Sequence, residues 1–129
     1  MYINHIAIWV NNLEMMKAFY QKYFNASSNQ LYKNEVTGFT SYFLSFDNGC
    51  RLELMHNASI ANSSNHTEQI HIGIAHLAIS LGNKDAVNGL TEKLRYDGYH
   101  IKGEPRMTGD GYYESVVLDP EGNVLELTV

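Results

Sequence analysis

Two stretches of this sequence occur twice, and that repetition limits the folds open to it more than any other feature. Residues 2–9 read YINHIAIW and residues 73–80 read GIAHLAIS, each an apolar run with a central histidine. His5 and His76 stand 71 positions apart. Residues 46–54 read FDNGCRLEL and residues 119–127 read DPEGNVLEL, each a glycine turn followed by an apolar strand interrupted by a glutamate. Glu53 and Glu126 stand 73 positions apart. Two nearly equal offsets in a chain of 129 residues imply two copies of a unit about half its length.

The order of elements is the same in each copy. An apolar strand, 2–10 or 73–81, leads into a helix. The first helix covers about 12–24, with Leu13, Met16, Phe19, Tyr20 and Tyr23 at helical spacing and Asn12 as its cap. The second covers about 83–97, with Val87, Leu90 and Leu94 inward, Asn83 capping, and Gly98 closing the end. Three strands follow each helix: about 30–36, 39–46 and 50–56, then about 99–106, 112–118 and 123–129. Gly38, Asp47-Asn48-Gly49, Gly109-Asp110-Gly111 and Pro120-Glu121-Gly122 supply the turns. The expectation is an α+β domain over 1–129 made of two paired βαβββ modules. Module one is about 1–56, the polar stretch 57–71 connects, and module two is about 72–129.

Composition narrows the function classes. With 44% hydrophobic and 18% charged residues the chain can build a core. A net charge of −5 argues against nucleic acid or an anionic membrane as partner. The N-terminus has no basic segment ahead of its apolar run, and no stretch reaches the roughly 18 apolar residues of a membrane span. The single Cys50 fits a reducing compartment. The triplets at Asn25, Asn57, Asn62 and Asn65 reflect asparagine-rich composition without a secretory signal. A cytoplasmic protein acting on a small molecule is the expectation.

Alternation along the strands places the ionisable residues. Ile6, Ile8 and Val10 form one row suited to packing under a helix, leaving His5, Ala7 and Trp9 opposite. Leu52 and Leu54 leave Arg51, Glu53 and Met55 opposite. Ala75, Leu77, Ile79 and Leu81 leave Ile74, His76, Ala78 and Ser80; Leu125, Leu127 and Val129 leave Val124, Glu126 and Thr128. Each residue alone has a structural explanation: a histidine hydrogen-bonded in a core, or Glu53 as a solvated charge beside Arg51. The four together are different. Carboxylates are rarely buried unless paired or metal-bound, and a face holding Trp9, Ile74, Met55 and Val124 is too apolar to be simply solvated. A divalent cation would satisfy two imidazoles and two carboxylates at once.

HIAIWV before a helix, RLEL after a glycine turn, AHLAIS opening the second half and DPEGNVLEL at the end resemble the vicinal oxygen chelate superfamily. That group of glyoxalase, bleomycin-resistance and dioxygenase proteins includes glyoxalase I, fosfomycin-resistance proteins, extradiol dioxygenases and methylmalonyl-CoA epimerase. The resemblance covers essentially the whole chain. It implies paired βαβββ modules whose sheets curl around a metal held by one ligand from each of four strands: His5, Glu53, His76 and Glu126. The full His/Glu/His/Glu set is similar to glyoxalase I, the lactoylglutathione lyase, with nickel, cobalt or zinc as the metal.

The implied activity is a lyase acting on a thiol adduct of a 2-oxoaldehyde through a metal-bound enediolate. Glu126 would be the base, and Glu53 its partner or a permanent ligand. Asn57, four residues after Glu53, matches a position of thiol-substrate contact in bacterial members. Those members carry Arg four residues after the first His; here Trp9 stands there, and Arg51 is the alternative cation. Trp9, Arg51, Met55 and Asn57 are thus the candidate substrate contacts, with a homodimer expected. Of Tyr112 and Tyr113, alternation lets only one face the site, and His56, His66, His71 and His100 are expected at surface or loop positions. The rival readings are a non-catalytic binder of a toxic small molecule and an iron-dependent ring-cleaving dioxygenase.

Overall fold

A computed structural model of the chain describes residues 1–60 and 72–129. The chain divides into two compact units, Met1–Ser64 and Asn65–Val129. The N-terminal unit runs β1 (His5–Trp9), α1 (Leu13–Phe24), β2 (Ser27–Ser28), β3 (Tyr32–Lys33), β4 (Thr40–Ser45) and β5 (Arg51–His56). The C-terminal unit runs β6 (Leu77–Ser80), α2 (Lys84–Tyr96), β7 (Ile101–Met107), β8 (Tyr113–Leu118) and β9 (Val124–Thr128). The first sheet is ordered β1-β5-β4-β2, with β3 also on β4, and the second β6-β9-β8-β7. In both, the strand before the helix pairs in parallel with the last strand, and the other pairings are antiparallel. The architecture is α+β, and the repeat in the sequence is a repeat of topology.

Both helices start on asparagine. The Asn12 side chain accepts from the Met15 backbone N–H at 3.0 Å, and Asn83 from that of Ala86 at 2.8 Å, each satisfying a donor the first turn leaves free. At its far end α2 closes through Gly98, whose φ of +88° lets Tyr99 donate back to the Leu94 carbonyl at 2.9 Å. Helix α1 ends without glycine; Asn25 takes the left-handed conformation at φ 52°, which its short polar side chain tolerates.

Each helix buries one stripe. Met16, Phe19, Tyr20 and Tyr23 of α1 are buried, as are Leu44, Leu52 and Leu54 of the first sheet. Phe19 packs against Tyr23 with ring centroids 5.1 Å apart. In the C-terminal unit the core is Val87 and Leu94 of α2 with Val117, Leu125 and Leu127. Thr91 is fully buried among them; its hydroxyl donates to the Val87 carbonyl at 2.7 Å and meets the Ser115 hydroxyl at 2.6 Å.

Three boundaries differ from expectation, the first being the strand expected over 2–10, which is only His5–Trp9. The strand expected over 30–36 is instead two separate two-residue strands, β2 and β3, on either side of position 30. Asparagine side chains interrupt it: Asn29 accepts from the Phe43 N–H at 2.7 Å, and Asn34 accepts from both Val36 and Thr37 N–H. The expected strand 73–81 narrows to Leu77–Ser80, so His76 stands immediately before β6. Most of the expected connecting stretch 57–71, including Asn62, Asn65, His66 and His71, lies outside the described residues.

Candidate metal centre

The registers of the two parallel pairs bring matching residues together. Ala7 lies opposite Glu53 across β1 and β5, and Ala78 lies opposite Glu126 across β6 and β9. His5 comes two positions before Ala7 on β1, hence on the same side as Glu53, while His76, just before β6, is placed by its contact with Glu126. The other side carries the buried rows Leu52, Leu54 and Leu125, Leu127. In the N-terminal unit His5 Nε2 lies 3.8 Å from Glu53 Oε2; in the C-terminal unit His76 Nε2 lies 3.1 Å from Glu126 Oε2. The carboxylates sit deeper than the rings: the side chains of Glu53 and Glu126 are 13% and 22% exposed, those of His5 and His76 40% and 41%.

The turn before β9 shows how the sequence sets Glu126. Buried Asp119 accepts from the Glu121 N–H at 3.0 Å, the Asn123 N–H at 2.9 Å and the Asn123 side-chain amide at 2.8 Å. Gly122 supplies φ +85°. The DPEGN segment is thus a self-bonded turn that delivers Val124–Thr128 to the ladder in one register.

The donor set fits a divalent cation. Among the described residues Glu53 has no closer polar partner than the imidazole at 3.8 Å, although most of its side chain is withdrawn from water. Within each unit, an imidazole nitrogen and a carboxylate oxygen lie 3.8 Å and 3.1 Å apart, donor types that divalent transition metals accept. Among the described residues, no three His, Cys, Asp or Glu side chains stand together as a metal cluster.

The expected substrate contacts divide. Trp9 lies opposite Met55 in the parallel register, is 53% exposed, and meets Phe39 edge-to-face at 6.0 Å. Arg51 lies opposite His5, with its guanidinium 4.4 Å from the Phe43 ring centre and Nη2 donating to Asn4 Oδ1 at 2.8 Å. Asn57 holds its own loop: its amide donates to the Thr37 carbonyl at 3.1 Å, and its oxygen accepts from Ser59. Tyr113 faces α2, donating to Asn88 at 2.7 Å, while Tyr112 is exposed at the turn.

His56 departs from its expected surface or loop position. It closes β5, half-buried, with Nδ1 2.9 Å from the Val10 carbonyl. Two residues were missed in the sequence. Asn4 contacts the His5 ring at Nδ1, 2.9 Å away. Glu114, buried on the same side as Glu126, pairs with Arg106 at 3.5 Å. Alternation within 112–118 carries the signal for Glu114, but only its ladder partner Thr128 says which side it takes. An open cleft of about 360 Å³ lies beside it, lined by Lys102, Gly103, Glu104, Arg106 and Val116.

Solved structures share this fold. Maize (Zea mays) glyoxalase I matches with TM-score 0.75 and 24% identity over 98% of this chain and 44% of its own. This chain therefore spans less than half the length of the maize protein. A glyoxalase I from Leishmania major, described as trypanothione-dependent, matches with TM-score 0.74 and 24% identity over 99% of this chain and 86% of its own. A glyoxalase family protein from Enterococcus faecalis matches with TM-score 0.76 and 22% identity over 98% of this chain and 96% of its own. At these identities the likeness is one of fold. No curated protein matches the sequence significantly. A family model, by contrast, aligns with residues 2–127, nearly the whole chain. The chain belongs to the Glyoxalase/Bleomycin resistance protein/Dioxygenase superfamily.

Proposed function

We propose that the protein is a glyoxalase I-like lyase that isomerises a thiol adduct of a 2-oxoaldehyde, with His5, Glu53, His76 and Glu126 as ligands of one divalent metal, nickel, cobalt or zinc. The observation that carries this is the recurrence in each unit of one His/Glu contact, between a glutamate on the last strand and a histidine at the start of the strand paired parallel to it. When bound, such a metal offsets negative charge developing on two neighbouring substrate oxygens.

The chain's own residues do the rest. A Glu126 carboxylate oxygen takes the proton from the carbon bearing sulfur and returns it to the adjacent carbon. The hemithioacetal becomes a thioester of a 2-hydroxy acid with no net change in atoms. Glu53 stays as the fixed carboxylate. Trp9 and Met55 form the apolar wall, and Arg51 supplies a cation for an acidic group of the thiol. Asn57 contacts the thiol portion by giving up a bond within its loop. With Trp9 where bacterial relatives carry arginine, a thiol other than glutathione fits the reading. The working form is a cytoplasmic homodimer.

The test is turnover of methylglyoxal with a panel of low-molecular-weight thiols, by the parent and by Glu126→Gln loaded with the same metal. Parent turnover that falls by about 100-fold or more in the variant supports the reading, in the range general acid–base catalysis contributes. Equal turnover by both removes Glu126 as the base. A parent that takes up no metal and turns over no adduct points to the sequestering reading, and one that holds iron and consumes oxygen to the dioxygenase.

A further inference from the structure

The hydrogen bonds around His5 assign its tautomer. Asn4 Oδ1 lies 2.8 Å from Arg51 Nη2 and 2.9 Å from His5 Nδ1. A guanidinium has donors only, so the Asn4 atom it meets must be the amide oxygen. That same oxygen faces the ring, so His5 Nδ1 must be the nitrogen that carries hydrogen. The neutral ring then has its lone pair on Nε2, the nitrogen directed at Glu53. Arg51 is itself held, stacked on Phe43 4.4 Å from the ring centre, and Phe43 also meets the His5 ring edge-to-face at 5.2 Å.

We propose that Asn4 is a positioning residue that fixes His5 as an Nε2 ligand, with Arg51 acting through Asn4 by locking the amide oxygen toward the ring. The proposal rests on the metal reading above and adds the residues that prepare one ligand for it. Histidine ligands characteristically donate their second N–H to an outer partner, which sets the ring's tautomer and orientation. The device is confined to the first copy. At the positions corresponding to Asn4 and Arg51 the second copy has Ala75 and Val124, neither able to accept or donate through its side chain.

The ring nitrogens of His5, followed by 15N NMR in metal-free protein, give a readout independent of activity. The parent should show hydrogen on Nδ1 and a lone pair on Nε2. Asn4→Leu should mix the two tautomers and weaken nickel binding roughly 10- to 100-fold, the usual cost of losing an outer partner. Asn4→Asp, which keeps an acceptor, should restore both, and Arg51→Met should mix the tautomers while leaving Asn4 in place. Unchanged ring nitrogens in Asn4→Leu would overturn the proposal. A parent with the expected tautomer that takes up no nickel, cobalt or zinc would support the hold of Asn4 on the ring and overturn the metal reading instead.

Discussion

His76 Nε2 stands 3.1 Å from Glu126 Oε2, within hydrogen-bond reach, across the end of the parallel pair β6/β9. The corresponding pair in the other unit is looser, His5 to Glu53 at 3.8 Å. The two halves therefore hold matching donors in different states of engagement. If all four belong to one site, either histidine is needed for it. His5→Ala and His76→Ala should each lower metal affinity by at least about tenfold, the loss that even an outer partner's removal can cause. Competition against a chromogenic chelator measures it, and a variant that binds like the parent is not a ligand position.

The buried hydroxyl pair of the C-terminal unit gives a stability prediction. Thr91 donates to the Val87 carbonyl, so its contact with Ser115 must use the serine hydrogen. Thr91→Val leaves the Ser115 hydroxyl buried without its acceptor and should destabilise by about 1–3 kcal/mol. Removing both hydroxyls in Thr91→Val, Ser115→Ala should cost less than the sum of the single changes, because no orphan remains. Urea unfolding of the four proteins checks it; simple additivity would mean the pair is not coupled.

Acid sensitivity has an identifiable contributor on α1. Glu14 accepts hydrogen bonds from Lys17 and from the Tyr42 hydroxyl at 2.6 Å, and these hold its carboxyl below the usual carboxylate range. The folded state then binds fewer protons than the unfolded one in the acid window. The stabilisation is full above the ordinary carboxylate pKa and is lost as pH falls through the lowered folded value. Because Glu14 is largely exposed, the contribution is well under about 1 kcal/mol. Unfolding followed from pH 6 to 3 should show a slightly shallower loss of stability in Glu14→Gln than in the parent; identical slopes would contradict the assignment.

Much of this was legible in the sequence because the repeat is carried by short-range signals. Asparagine caps, glycine turns and helical stripes act within a few residues of themselves, and both helices and the six longer strands fall close to where those signals put them. Alternation fixed which side Glu53 and Glu126 take, since each is flanked by two leucines that need the opposite side; for His5 the row Ile6, Ile8 and Val10 carries the same signal. What was hidden depends on partners distant in the chain. The break between β2 and β3 follows from Asn29 bonding the backbone of Phe43, and His56 is settled by a carbonyl on Val10. Asn4 stood beside His5 all along, yet its role needs Arg51, 47 positions later, to say which way the amide points.

Whether His5, Glu53, His76 and Glu126 hold a metal is decided by elemental analysis of the parent and of a Glu53→Gln, Glu126→Gln double variant. About one nickel, cobalt or zinc per chain is expected in the parent after reconstitution, and loss of that metal in the variant. A parent that stays metal-free after exposure to all three ions, or a double variant that keeps the parent's metal, would contradict the four-ligand site.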